Sequence, residues 1–266
     1  MVAGGHLTKA PENMSTYSGV VSIKSFRTVM FLGELNGYPV HATDISNAYL
    51  ESYTREKIYI IAGPEFGPDR EGHALIITKA LYGLKVSGKS YYDHFADTLR
   101  DQGFTQSKAD SEIWMRDAGK DENGVDRDCY EYIAVYVDDL ACSLVDPTKF
   151  FGILENDYGY KLKGSGPTSY HLGGNFVRDP DGVLKQTAED YIVKMLGNYK
   201  QDYGEEPMKK KAPLPEGDHP ELDDTEELDD AGRTQYQSMI GCLQWCVTLG
   251  RYDIAYAVMT LSLIHI

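Results

Sequence analysis

The stretch "YVDDL" (136–140) sets two carboxylates side by side directly after a run of strand-forming residues. Adjacent anions repel, and burying either one is costly unless something neutralises it, as a divalent cation does. Asp-Asp pairs also occur at Asp223–Asp224 and Asp229–Asp230, inside an acidic stretch where both read as solvated. The pair Asp138–Asp139 has a different setting, with "YIAVYV" before it and "LACSLV" after it. Two apolar strands joined at a tight turn suggest a β-hairpin carrying carboxylates at its tip. From this pair alone, an exposed turn without chemistry is an equally good reading. A second strand-like run, "VHAT", ends at Asp44. If the two strands are neighbours in one sheet, three carboxylates meet at one edge. Such an all-oxygen donor set suits hard cations such as Mg²⁺. It also suits phosphoryl transfer, where one ion activates a hydroxyl and another neutralises a triphosphate and its leaving group.

The elements that must position these acids are legible in part. "YPVHATDI" (38–45) and "YEYIAVYV" (130–137) are rich in β-branched and aromatic residues and read as strands. "SGKSYYDHFADTLRDQG" (87–103) sets Tyr92, Phe95, Ala96 and Leu99 on one helical face, and Gly103 ends it. Thr187 and Asp190 have the spacing of a capping box for a helix over 188–199. Thr234 with Gln237 opens another helix, with Tyr236, Ile240, Leu243 and Val247 on one face, and a last helix covers Ile254–Leu263. Strands and helices interleave without regular βαβ spacing, which favours an α+β fold.

The 266 residues suffice for a sizeable core, and 42% apolar content with mixed charge is that of a globular chain. The net charge of −15 argues at first against a nucleic-acid partner. Its distribution weakens the objection, because residues 201–232 hold twelve acids against three lysines. That acidic, Pro/Gly-containing stretch reads as a linker between a main body (1–200) and a C-terminal helical piece (233–266). Cys129, Cys142, Cys242 and Cys246 have neither disulfide-framework nor zinc-cluster spacing and read as small buried thiols. There is no N-terminal signal stretch and no apolar run long enough to span a bilayer, so a reducing, intracellular setting is expected.

In order and spacing the chain resembles the reverse transcriptase of copia-type LTR retrotransposons over nearly its whole length. The matching segments are "YSGVVSIKSFRTVMFLGELNG", "HATDISNAYLESYTREKIYIIAGPEFG", "ITKALYGLKVSGKSYYDHFADTLRDQGFTQSKADSEIWMR", "YIAVYVDDLACSL", "YHLGGNFV" and "YQSMIGCLQWCVTLGRYDIAYAVMTLS". The resemblance implies a right-hand polymerase with fingers, a palm whose antiparallel catalytic sheet packs on helices, and part of the thumb and connection. It implies an RNA-directed DNA polymerase that adds dNTPs to a primer 3′-hydroxyl on an RNA or DNA template, with two Mg²⁺ ions or Mn²⁺ in their place. Asp44, Asp138 and Asp139 match the catalytic, metal-holding aspartates, and Ile45 offers a backbone carbonyl to the metal. Tyr49 matches the aromatic residue beneath the incoming sugar that excludes a 2′-hydroxyl; otherwise it is a core tyrosine. Lys85 and Val86 lie in the nucleotide- and template-contacting segment, with Lys79 and Lys89 flanking it and Arg27 a further candidate. Each of these basic residues also reads as a solvated side chain. Lys161 or Lys163 stands where polymerases keep a lysine that protonates pyrophosphate, and His171, Leu172 and Gly173 match the primer grip.

Two departures from the family pattern stand out. A glutamine usually follows the Gly-Leu-Lys, where this chain has Val86. The chain also starts after the basic pair that normally precedes "VAGG" and ends at "LSLIHI", ahead of ribonuclease H, so it reads as a polyprotein fragment. The other polyprotein parts (integrase, ribonuclease H, capsid) are then its expected partners, cytoplasmic virus-like particles its expected setting, and no membrane is involved. An inactive relic that retains only nucleic-acid binding is the competing reading. A palm-type nucleotide cyclase fits the helix and primer-grip segments less well.

Overall fold

A computed structural model describes residues 2–7, 15–215, 217 and 226–263 of the chain. The chain divides into two compact units, one ending at Thr168 and the other beginning at Ser169. The first holds α1 (Ile23–Asn36), β1 (Val40–Ile45), α2 (Ala48–Glu51), β2 (Tyr53–Ile61), β3 (Ala74–Lys79) and α3 (Ser87–Asp101). It continues with β4 (Thr105–Gln106), β5 (Ile113–Asp117), β6 (Tyr130–Tyr136), β7 (Asp139–Ser143), α4 (Pro147–Asn156) and β8 (Leu162–Pro167). Six of the strands form one sheet in the order β4-β5-β6-β7-β1-β8, every pairing antiparallel. Strands β2 and β3 pair only with each other, as a separate ribbon.

Alternation along β6 and β7 decides what covers the sheet. Ile133 and Val135 with Leu140 and Cys142 join a core that α3 completes with Tyr91, Phe95, Ala96 and Leu99, and α4 with Phe150, Phe151 and Leu154. Leu99 is wholly buried, which contributes about 2 kcal/mol relative to an exposed side chain. The alternate residues Ala134, Ala141 and Ser143 are small, and α1 packs on the strands that carry them. Gly33 of α1 lies so near Val40 and Ser143 that an added Cβ would collide with both. Ser22 caps α1 by accepting from the Ser25 N–H at 3.1 Å, and Asp110 accepts from the N–H groups of Ser22 and Glu112, fastening the helix to β5. The helix expected over 87–103 ends at Asp101, followed by Gly103 with φ 82°, a left-handed conformation that glycine adopts freely.

The second unit consists of β9 (Tyr170–His171), β10 (Gly174–Arg178), β11 (Leu184–Thr187), α5 (Glu189–Tyr203), α6 (Asp230–Thr248) and α7 (Ala255–Leu263), with the sheet order β11-β10-β9. Two capping expectations are corrected here. Thr187 and Asp190 form no capping box: Ala188 is the N-cap without a side-chain bond, and Asn175 of β10 pairs with Asp190 instead. α6 opens at Asp230, not Thr234, because Asp229 accepts from the Gly232 N–H at 2.7 Å. Thr234 lies inside the helix and donates to the Asp230 carbonyl. Helix enters the acidic stretch from both sides, through Tyr203 and from Asp230, while residues 216 and 218–225 lie outside the described residues. Among the described residues no helix is long and apolar enough to cross a membrane.

Candidate active site

β6 and β7 join through a two-residue turn, Val137–Asp138, with Tyr136 opposite Asp139. β7 and β1 are neighbours, and their register sets Asp44 opposite Asp139. On the other edge of β1, Asp44 is opposite Lys163 of β8. Directly opposed residues project from the same face of an antiparallel sheet, so Tyr136, Asp139, Asp44 and Lys163 make one row across four strands. The Ile45 N–H donates to the Asp138 carbonyl at 2.8 Å and ties the turn to the end of β1. Ile45 itself is wholly buried.

Two of the acids are pushed above the ordinary carboxylate range. Burial, then Asp138 and Asp44, pushes Asp139 up to about 6, and burial together with Asp44 raises Asp138. Three like charges at one strand edge therefore cost stability at neutral pH, and the fold does not relieve them with a buried cationic partner among the described ion pairs.

Strain accompanies the charge. Val137 has φ 58°, a conformation that glycine normally supplies at this position of a two-residue hairpin turn. A β-branched side chain held there costs about 1–2 kcal/mol. Val137→Gly is accordingly expected to be more stable than Val137→Ala by about 1 kcal/mol, the reverse of the usual order of these two residues. Urea unfolding midpoints of the two variants check this, and the ordinary order would show that the turn relaxes.

Tyr49 lies in α2, half-buried, with its ring 4.7 Å from that of Tyr82 and 6.1 Å from that of the buried Tyr91. Burial, then Asp138, raises the pKa of the Tyr49 hydroxyl. Tyr82 responds to burial, Asp138, Tyr49 and Asp44 in that order, so it belongs to the same cluster. Nothing in the sequence marks Tyr82, because a single tyrosine in a loop has no periodicity.

The remaining expected residues are dispersed. Val86, grouped above with the nucleotide-binding residues, is only 1% exposed, so its side chain packs in the interior and does not face a ligand. Lys85 is exposed next to it. Lys79 donates to the Glu51 carbonyl and lies 4.1 Å from the centre of the Tyr53 ring, and Lys89 pairs with Asp93. Arg27 is half-buried on α1. Lys161 is exposed just ahead of β8, its carbonyl accepting from the Ser46 N–H.

His171, Leu172 and Gly173 belong to the second unit, where β9 and β10 form a hairpin with His171 opposite Gly174. Its two turn residues both have positive φ, 47° at Leu172 and 83° at Gly173, so a leucine sits where asparagine is usual. His171 is 5% exposed, and burial lowers its pKa to about 4. Between that value and the ordinary 6.5 or so, the unfolded chain binds a proton that the folded chain refuses, so stability falls as pH falls through this window. The loss amounts to about 2 kcal/mol between pH 7 and pH 5. His171→Gln is expected to flatten that acid-side fall in urea midpoints; an unchanged slope would place the titration elsewhere.

A family model described as reverse transcriptase (RNA-dependent DNA polymerase) matches residues 1–205. The chain is 29% identical over 249 residues to a retrovirus-related Pol polyprotein from transposon RE1 of Arabidopsis thaliana, covering 93% of this chain and 16% of that protein. It is 29% identical over 225 residues to the putative transposon Ty5-1 protein of Saccharomyces cerevisiae, covering 82% and 68% respectively. With the Pol polyprotein from transposon TNT 1-94 of Nicotiana tabacum it shares 25% identity, over 98% of this chain and 20% of that protein. The chain thus spans about a sixth to a fifth of the two long polyproteins it matches. By this match over most of its length, the chain belongs to the reverse transcriptase (RNA-dependent DNA polymerase) family.

Proposed function

We propose that the chain is the RNA-directed DNA polymerase part of a retrotransposon polyprotein, extending a primer by transferring nucleotidyl groups at Asp44, Asp138 and Asp139. The observation that carries this reading is the cross-strand row that brings Asp44 and Asp139 together beside the Asp138 turn. In this reading the six-stranded sheet is the palm, the β2–β3 ribbon belongs to the fingers, and the second unit supplies the start of the thumb.

Among the described residues no three metal-ligating side chains already close into a cage. The donor set still fits magnesium: it is all oxygen and carries unrelieved like charge. Mg²⁺ also keeps several water and phosphate ligands of its own and so needs no complete protein cage. Asp44 and Asp138 would hold it, with Asp139 sharing and the Ile45 carbonyl a further oxygen. When bound, magnesium or manganese supplies a lowered pKa at the primer hydroxyl and charge neutralisation at the triphosphate. Tyr49 sits beneath the incoming sugar and rejects a 2′-hydroxyl by its bulk. Lys163 faces the leaving pyrophosphate as proton donor, and the His171–Gly173 turn grips the primer end. Template and primer are held through sugar and phosphate without sequence preference.

Primer extension by the purified chain on poly(rA)·oligo(dT) with dTTP and Mg²⁺ tests the reading. Metal-dependent extension is expected. A folded chain that binds primer-template and extends nothing would favour the inactive relic.

A further inference from the structure

The loop between β3 and α3 carries Tyr82 and is held by backbone from the far end of the unit. The Ala3 N–H donates to the Tyr82 carbonyl at 2.7 Å. Two glycines close this contact: a Cβ on Gly5 would land on the Gly83 carbonyl, and one on Gly83 would land on the Ala3 carbonyl. Gly83 also has φ 93°, so a side chain there is excluded twice over. From within the unit the loop is tied down by the Ala80 N–H donating to Ser52 and the Ser87 hydroxyl donating to Leu81. Tyr82 itself is held by the N-terminal backbone and by its ring contact with Tyr49, 4.7 Å between centroids.

We propose that the segment Val2–Gly5 is a positioning element of the sugar pocket. By interlocking with Tyr82–Leu84 it holds the Tyr82 ring against Tyr49, so that the two tyrosines together set the room for a nucleotide 2′-hydroxyl. The inference rests on the polymerase reading above. Tyr91, buried beneath Tyr49, stops that ring from retreating inward. Tyr82 stops it from swinging sideways. A hydroxyl needs little extra space, so a shift of about 1 Å in either ring changes discrimination. Backbone packed on backbone without side chains has no flexible atoms to absorb a shift, so the N-terminal segment sets the Tyr82 position though it touches no substrate.

The test compares dTTP with UTP incorporation by the full chain on poly(rA)·oligo(dT). Gly83→Ala, Ala3→Pro (which deletes the donating N–H) and Tyr82→Ala are each expected to lower the preference for dTTP by about 10-fold or more. The change should appear as a lower KM for UTP, with its kcat little altered. Tyr82→Phe keeps the ring and should keep the preference. If Gly83→Ala does not fold, the half-exposed positions Ala3 and Tyr82 carry the test. A preference lost in Tyr49→Ala but intact in Ala3→Pro and Tyr82→Ala would overturn the inference and leave Tyr49 as the gate alone. A folded wild-type chain that extends nothing would sink the polymerase reading instead. The interlock is then read without activity, from fluorine NMR of 3-fluorotyrosine-labelled chain. Ala3→Pro should move the Tyr82 and Tyr49 resonances together, and an unmoved Tyr49 resonance would overturn the interlock.

Discussion

Asp138→Asn is expected to lower primer extension by at least about 10³-fold while leaving the fold no less stable at neutral pH. Asparagine keeps the shape of the turn residue and its backbone, including the carbonyl that accepts from the Ile45 N–H. Only the charge is lost. That charge is a liability to the free protein, because burial and Asp44 hold the Asp138 pKa above the ordinary carboxylate value. Asp139 gives the clearer measure, with its pKa at about 6. A raised folded-state pKa means that the native chain binds more protons than the unfolded chain between about pH 4 and pH 6, so stability drops as pH rises through that window. Above it the full penalty remains. The shift corresponds to a ceiling of about 3 kcal/mol, which solvent screening at a half-exposed site reduces to about 1 kcal/mol. Asp139→Asn should therefore unfold at higher urea than wild type at pH 7.5, and the two should converge at pH 4. Mutations usually destabilise. A pair that destroys extension and stabilises the fold would show charges kept for chemistry at the expense of stability. Retention of extension by Asp138→Asn would remove the catalytic assignment, and a fall in stability in Asp139→Asn would mean that its carboxylate is hydrogen-bonded, not repelled.

How much of this was legible beforehand follows from the range of each signal. The strands around the acids were readable because Val, Ile and Tyr cluster in them, and the observed β1 and β6 fall within the segments expected. The helix over α3 was readable from its 3.6-residue period, although the buried tyrosine proved to be Tyr91, with Tyr92 half-exposed. The caps of α5 and α6 differ from the pattern, since Thr–x–x–acid does not reveal that Asn175, from another element, will take Asp190, and Thr–x–x–Gln at 234 does not reveal that Asp229 caps the helix a turn earlier. Val86 was assigned by position in a motif, and burial sends its side chain inward. β8 was not foreseen: "LKGSGP" is glycine-rich and lacks strand formers, and it pairs because β1 offers it an edge. Tyr82 was missed for a related reason, as only tertiary contact brings it to Tyr49. Local composition marked the strands that carry the acids. The groups that surround those acids come from elements whose own sequences are quiet.

The choice between Lys161 and Lys163 turns on that quiet strand. Along β1 the register advances two residues from Ala42 to Asp44, while along β8 it advances three, from Gly166 to Lys163. The extra residue is a bulge, with Gly164 at φ 68° and the Ser165 hydroxyl bonded to that of the buried Thr43 at 2.7 Å. Were every β8 residue paired in turn from Gly166, Gly164 would stand opposite Asp44 and Lys163 opposite Ile45, on the other face, because a one-residue slip reverses every side chain. With the bulge, Lys163 stands directly across from Asp44, while Lys161 lies two residues further along, beside Ser46. Lys163→Ala is thus expected to lower kcat for dTTP by about 10²-fold or more, the usual worth of a positioned general acid, and Lys161→Ala by only a few-fold. Lys163→Arg separates two roles, since arginine keeps the positive charge but does not give up a proton near neutral pH. A proton donor is not rescued by arginine, whereas a contact to the triphosphate is, mainly through KM. Deleting Gly164 removes the extra residue and leaves Lys163 paired with Asp44, so it should keep most of the kcat that Lys163→Ala loses. A larger loss in Lys161→Ala than in Lys163→Ala would mean that β8 shifts register when substrate binds, and that the bulge serves the resting sheet alone.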